Sequence, residues 1–161
     1  MVAIASCIKI QPFTADRSNE VADLFHQAVH CIDSTLYTAE QQEAWAPTPP
    51  DYFRWSARLT TTQPWLAMLD NRVAGFIELA ADGHIDCFYT HPDFQRQGVA
   101  SELYEHLCAN AKSRGLNRLY VEASIVAKVF FERRGFTQIS ENSPQRNGVT
   151  LNNFTLEKYL R

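Results

Sequence analysis

The chain has little that would tie it to a membrane, a nucleic acid or a metal. Its 161 residues contain no apolar run long enough to cross a bilayer. Residues 1–8 are apolar, but they lack a basic lead and are too short for a signal core with its cleavage site, so a cytoplasmic location is expected. Four cysteines, Cys7, Cys31, Cys87 and Cys108, stand far apart with no Cys-x-x-Cys pair. That pattern argues against a zinc or redox motif and favours reduced, buried thiols. No third ligand is spaced to complete a His/Asp metal site, so no metal is expected. Basic residues number 15 against 18 acidic ones, a net charge of -3. A nucleic-acid surface is normally basic, so that class is disfavoured. There are no repeats, low-complexity tracts or charge runs. The length suits one domain, residues 1–161, with a sizeable core.

What the chain does have is concentrated in His84–Arg114. A short apolar strand, Ile85–Thr90, runs into His91-Pro92, where proline forces the backbone out of the helical region. The turn Gln95-Arg96-Gln97-Gly98-Val99-Ala100 follows, and a helix starts at once. Ala100, Leu103, Tyr104, Leu107, Cys108 and Ala111 recur at helical spacing, and Gly115 stands where a left-handed cap would end it. A strand, a glycine-bearing turn and the positive end of a helix together make an anion site, because the first helical amides have no intrahelical partner. Gly98 would let the anion approach the backbone, and Arg96 adds a cation. A Walker loop needs Gly-Lys-Ser/Thr and a dinucleotide fingerprint needs three spaced glycines; neither is present. An ordinary strand-to-helix turn remains the plainer alternative.

The other elements follow in order. Cys7–Phe13 reads as a strand and Glu20–Cys31 as a helix. Thr38-Ala-Glu-Gln41 has capping-box form for a short helix through Trp45, and Ala46-Pro-Thr-Pro-Pro50 breaks the chain. Asp51–Leu59 reads as a further helix. Trp45 and Trp55 either cap the core or wall an acceptor pocket. Strands are expected at Trp65–Leu69 and Val73–Ala81, with Asp82-Gly83 as a two-residue hairpin turn into the central strand. Asn117–Ser124 must run parallel to that strand, because a helix crosses between them. A last helix spans Ala127–Arg134, then strands Phe136–Glu141 and Val149–Glu157, the latter with a bulge at Asn152-Asn153. The sum is a mixed, layered α/β fold.

Gln95-x-x-Gly98-x-Ala100, after a strand ending in His91-Pro92-Asp93, resembles the acetyl-CoA signature of the GNAT acetyltransferases. Ala127–Phe136 resembles the closing helix and strand of that family, in the family's order and at about its spacing. Glu122-Ala-Ser, Phe130-Phe-Glu-Arg-Arg-Gly-Phe and the segment Arg146–Lys158 resemble a bacterial subgroup like the YafP acetyltransferases. The resemblance covers about residues 8–160. It implies a GNAT acyltransferase fold whose central mixed sheet is flanked by helices, with acetyl-CoA as co-substrate. It also implies direct acetyl transfer to a primary amine, of a small molecule or alternatively of a peptide or protein. In the family two parallel strands splay, and the cofactor's arm lies in the gap. By resemblance Phe88, Tyr89 and Thr90 offer backbone hydrogen bonds to that arm. Gln95, Arg96, Gln97, Gly98, Val99, Ala100 and Ser101 hold the pyrophosphate, and Ser124, Phe130 and Phe131 contact the arm.

A base must take a proton from the amine. By period two, His84, Asp86 and Phe88 share one face of the central strand. A two-residue turn at Asp82-Gly83 would pair Ala81 with His84 and Leu79 with Asp86, which puts Glu78 on the opposite face unless a bulge shifts the parity. In the family a base on this strand lies a few residues before the contacts to the cofactor's arm, so the resemblance favours Asp86 and His84 over Glu78, with Glu122 in reserve. The plainer alternative is structural pairing of the carboxylates, with Arg118 or Arg72. Two positions depart from the family: Phe131 stands where a proton-donating tyrosine is common, and Ser124 where asparagine is common. The first leaves the acid role to Tyr89 or water, and raises the alternative of a catalytically weak acyl-CoA-binding module. A monomer or a homodimer fits the sequence equally well.

Overall fold

The computed structural model describes residues 7–160. A seven-stranded sheet forms its middle. In chain order its strands are β1 (Lys9–Pro12), β2 (Trp65–Leu69), β3 (Arg72–Leu79), β4 (His84–Thr90), β5 (Arg118–Ala123), β6 (Thr137–Asn142) and, last in the chain, β9 (Asn153–Tyr159). The order across the sheet is β1-β2-β3-β4-β5-β9-β6. Every neighbouring pair is antiparallel except β4 and β5. That exception follows from the helix between them, since two parallel strands cannot be joined by a tight turn. The short strands β7 (Gln145–Arg146) and β8 (Val149–Thr150) make a separate hairpin around Asn147-Gly148.

Helices cover both faces. On one side lie α1 (Ser18–His30), α2 (Ala39–Trp45) and α3 (Tyr52–Thr62). Val21, Leu24, Phe25 and Val29 of α1 pack with Leu59, Leu66 and Phe76 in one core cluster. On the other side lie α4 (Val99–Ser113) and α5 (Ile125–Glu132). Leu103, Tyr104 and Leu107 of α4 and Phe131 of α5 pack with Ile77, Ile85 and Leu119 in the second cluster. Helix starts are set by side chains: Thr38 and Gln41 form the expected capping box, Asp51 accepts from the Arg54 amide at 3.0 Å, and Ser124 accepts from the Ala127 amide at 3.0 Å. No helix among the described residues is long and apolar enough to cross a membrane.

Three expectations are corrected. The connection between β3 and β4 is a three-residue loop, with the Ala80 amide bonded to the His84 carbonyl at 2.8 Å and Gly83 in the left-handed region at φ 96°. Further along, Leu79 faces Ile85 but Ile77 faces Phe88, so Asp86 and Cys87 together oppose Glu78. This is a bulge, and it breaks the period-two count. Phe88 consequently packs in the α4/α5 core, while Cys87 and Tyr89 belong to the α1/α3 side. The expected closing strand Val149–Glu157 is interrupted at Leu151-Asn152. Tyr37 explains the break: its hydroxyl donates to the Asn152 carbonyl at 2.7 Å, which takes that group out of the ladder. Finally, Cys87 is buried and Cys108 partly so, but Cys7 and Cys31 are exposed; all four are free thiols.

Candidate active site

β4 and β5 pair only over two residues, the start of β4 against the middle of β5, His84 with Tyr120 and Ile85 with Val121. Beyond that point β4 stays with β3 as far as Thr90, and β5 stays with β9 as far as Ala123. The two parallel strands therefore part, and backbone groups of β4 are left without a sheet partner on that side. A slot of about 60 Å³ lies in the gap, between Phe88 and Tyr89 of β4, Val121 to Ser124 of β5, and Phe131. It opens into a cleft of about 840 Å³ under α1, α2 and α3, since Trp45, Asp86, Tyr89, Glu122 and Ser124 line both.

The turn after β4 leads to the start of α4. His91 is tied back to β3 through its amide and the Ala74 carbonyl at 2.7 Å, and its ring Nδ1 accepts from the Asp93 amide at 3.0 Å. Arg72 pairs with Asp93 at 3.1 Å and lies over the Phe94 ring at 4.8 Å, which fixes the turn from outside. Arg96 and Gly98 both sit in the left-handed region, at φ 62° and 88°. Such a backbone turns successive amides toward one concave side. α4 starts at Val99 with no side-chain cap, and a Cβ placed on Gly98 would meet nothing within 4 Å. The cradle is thus bare amides facing open space, beside the positive end of a 15-residue helix. Gln95, Arg96, Gln97 and Ser101 are exposed around it, and Ala100 partly so; Val99 points inward and is buried. Arg134, which the sequence did not single out, donates to Ser101 Oγ at 2.9 Å and stacks 3.5 Å over the Phe130 ring. It adds a second cation to that rim. A bulky anion such as a pyrophosphate fits this donor set.

The side chains at the mouth of the gap are interlocked. Arg58 of α3 reaches Glu78 at 2.6 Å, Asp86 at 3.0 Å and Cys87 Sγ at 3.1 Å. The bulge makes this possible, because it brings Glu78 and Asp86 to one guanidinium. Glu78 is 2% exposed, and its second oxygen accepts from Thr62 Oγ1 at 2.5 Å. Both of its oxygens are thus held, and it does not line the cleft. The structural partner of these carboxylates is Arg58; Arg118 bonds Glu157 at 2.6 Å and Arg72 bonds Asp93. Glu78, Asp86 and Cys87 have the composition of a metal triad, but the guanidinium fills the centre of it. Burial pushes the Cys87 thiol well above its ordinary pKa, which keeps it protonated beside this network.

Asp86 remains half exposed and faces the cleft. His84 is also there, stacked on Tyr120 at 4.7 Å and paired with Glu122 across the two strands. An imidazole against a carboxylate, at the edge of a cleft, can take up and pass on a proton. Phe131 is 1% exposed and packs against Phe88 and Phe136, so nothing at that position donates a proton. Tyr89 lines the cleft, and burial raises the pKa of its phenol far above the ordinary value. At neutral pH it carries its proton. Trp45 and Trp55 pack on the α1/α3 core and also line the cleft.

A central sheet whose two parallel strands part, with an uncapped helix start above the gap, is the architecture of the acyl-CoA N-acyltransferases. Residues 34–158 match the family described as the acetyltransferase (GNAT) domain, and the chain belongs to the GNAT acetyltransferases, for which acetyl-CoA is the co-substrate. It is 32% identical over 147 residues to the uncharacterized N-acetyltransferase YafP of Escherichia coli strain K12, covering 91% of this chain and 93% of that protein. It superposes on the crystal structure of a GCN5-related N-acetyltransferase from Rhodopseudomonas palustris with a TM-score of 0.90, at 32% identity, over 99% of this chain and 100% of that one. The PaiA N-acetyltransferase of Thermoplasma acidophilum, solved in complex with coenzyme A, shares the fold at a TM-score of 0.72 and 16% identity, over 96% of this chain and 99% of that one.

Proposed function

We propose that the chain moves an acetyl group directly from acetyl-CoA to the primary amine of a small, partly apolar molecule. One observation carries this reading: the gap between β4 and β5 opens into an aromatic-lined cleft of about 840 Å³, β4 runs on through a short turn to the bare helix start at Gly98, and groups able to handle a proton line that cleft. When bound, acetyl-CoA supplies the activated acetyl group. The amides of residues 97–101, with Arg96 and Arg134, would hold its pyrophosphate. Phe88, Tyr89 and Thr90 would offer backbone hydrogen bonds to its arm, and Phe130 and Phe131 would pack against it. Ser124 Oγ accepts the Ala127 amide, so its hydroxyl proton is left to donate. Gln95 shapes the turn.

On the acceptor side, Asp86 is held in place by Arg58 and attracts a cationic amine. The His84–Glu122 pair takes a proton from that amine, which frees the nitrogen lone pair to attack the thioester carbonyl. Unpaired β4 amides would stabilise negative charge on the reacting carbonyl oxygen. Tyr89, with its proton retained, is the group that can return a proton to the departing sulfur. The buried ring of Phe131 favours one other reading, a module that binds acyl-CoA but turns over slowly.

Thiol release from acetyl-CoA over a panel of small primary amines and short peptides separates these. Small aromatic amines are expected to be acetylated. Saturable cofactor binding with no turnover on any amine would establish the binding module instead. Preferential turnover of peptides would move the acceptor to the protein class.

A further inference from the structure

Most of the charge in the cleft is neutralised within it. His84 is paired with Glu122, and Arg58 with Asp86 and Glu78. Asp51 caps α3 through the Arg54 amide. Two guanidiniums are left over, Arg54 on α3 and Arg146 on β7. Both are exposed, both line the cleft, and among the described residues neither side chain makes a hydrogen bond or an ion pair. Arg146 is not on a loose tail. Its hairpin is docked on α2 by Asn147 Nδ2 to the Ala44 carbonyl at 3.3 Å and by Gln41 Nε2 to the Thr150 carbonyl at 3.1 Å.

The cleft is therefore divided. Asp86 and Glu122 stand at the β4/β5 junction, the free cations Arg54 and Arg146 stand on α3 and β7 with the helix-capping Asp51 beside Arg54, and Phe25, Trp45 and Trp55 add aromatic walls. We propose that the acceptor is an amine with an anionic group, carboxylate or phosphate, at the far end of an apolar or aromatic body. Its amine is drawn to Asp86 and to His84–Glu122, and its anion to Arg54 and Arg146. Guanidinium suits either anion, because its fork matches two oxygens of each. This inference rests on the acetyl-transfer reading of the same cleft.

The test is binding to the full chain saturated with coenzyme A, measured by saturation-transfer NMR or calorimetry. The probes are benzylamine, para-(aminomethyl)benzoate and para-(aminomethyl)phenyl phosphate. The anionic amines are expected to bind about tenfold tighter than benzylamine, the worth of one charge-assisted contact. The carboxylate and phosphate arms distinguish the two sources of the anion. Arg54→Gln and Arg146→Gln together should bring the ratio close to one, with coenzyme A affinity as the check that the variant folds. Equal binding of all three probes, or a preference that survives in the double variant, overturns the proposal. The two readings fail separately: anionic preference without turnover of any amine refutes acetyl transfer, and turnover without anionic preference refutes the anion subsite.

Discussion

The two ends of the gap between β4 and β5 are made of different material. At the cofactor end the working parts are backbone: bare amides at the start of α4, two left-handed residues and open space at Gly98. At the acceptor end they are side chains brought from α3, β3, β4 and β5, several of them bonded to one another. A backbone site tolerates exchange of most surrounding side chains but not of the turn that shapes it. A side-chain site depends on each member, because removing one leaves a charged or buried neighbour without its partner.

The largest effect expected from that contrast is at Gly98. Gly98→Val places a β-branched residue at φ 88° and fills the space in front of the amides. Titration should show coenzyme A affinity falling by about a thousandfold, the equivalent of several charge-assisted hydrogen bonds, while the fold persists. Near-normal affinity would break the backbone half of the comparison. Next is Arg58→Met, which leaves Glu78 buried with only Thr62. Denaturant unfolding should record a loss of about 3 kcal/mol, as for a buried pair that loses one member. A change within about 0.5 kcal/mol would mean that the interlocked network is only surface contact.

Glu122→Gln keeps the shape of the His84 contact and removes its charge. We expect kcat to drop about a hundredfold with cofactor affinity unchanged, within the range for a general base. An unchanged kcat would hand the base role to Asp86. The smallest effect is at Tyr37→Phe, which removes a hydroxyl that donates to the Asn152 carbonyl and accepts from the Ile125 amide at 2.9 Å. About 1–2 kcal/mol of stability should be lost on thermal or denaturant unfolding, with the β7–β8 hairpin loosened first.

The same division decides what could be read in advance. Backbone features carry local signals. Trp65–Leu69 forms as expected, the Thr38–Gln41 capping box closes, and Gly115 takes the left-handed conformation of a helix cap. Each depends on a few neighbouring residues. The acceptor side depends on one irregularity and on distant partners. A single extra residue at Asp86-Cys87 reverses the parity of everything counted from the turn, and no local rule announces it. Arg58 lies 20 residues before Glu78 and on another element, so pairing by sequence pointed to Arg118 and Arg72 instead. Arg134 was visible only as part of the last helix; its approach to Ser101 is tertiary. Period-two counting raised Glu78 and Asp86 as rivals on opposite faces, whereas they share one guanidinium.

The most direct test of the account is an amide-resolved NMR titration of the full chain with coenzyme A. The amides of Gly98, Val99, Ala100 and Ser101 are expected to shift together with those of Phe88, Tyr89 and Thr90, at one ligand per chain, while β1, β6 and the far end of α4 stay put. Shifts that spare Gly98 and the β4 edge, or saturation without any perturbation there, would contradict the claim that the parted strands and the bare helix start form one cofactor site.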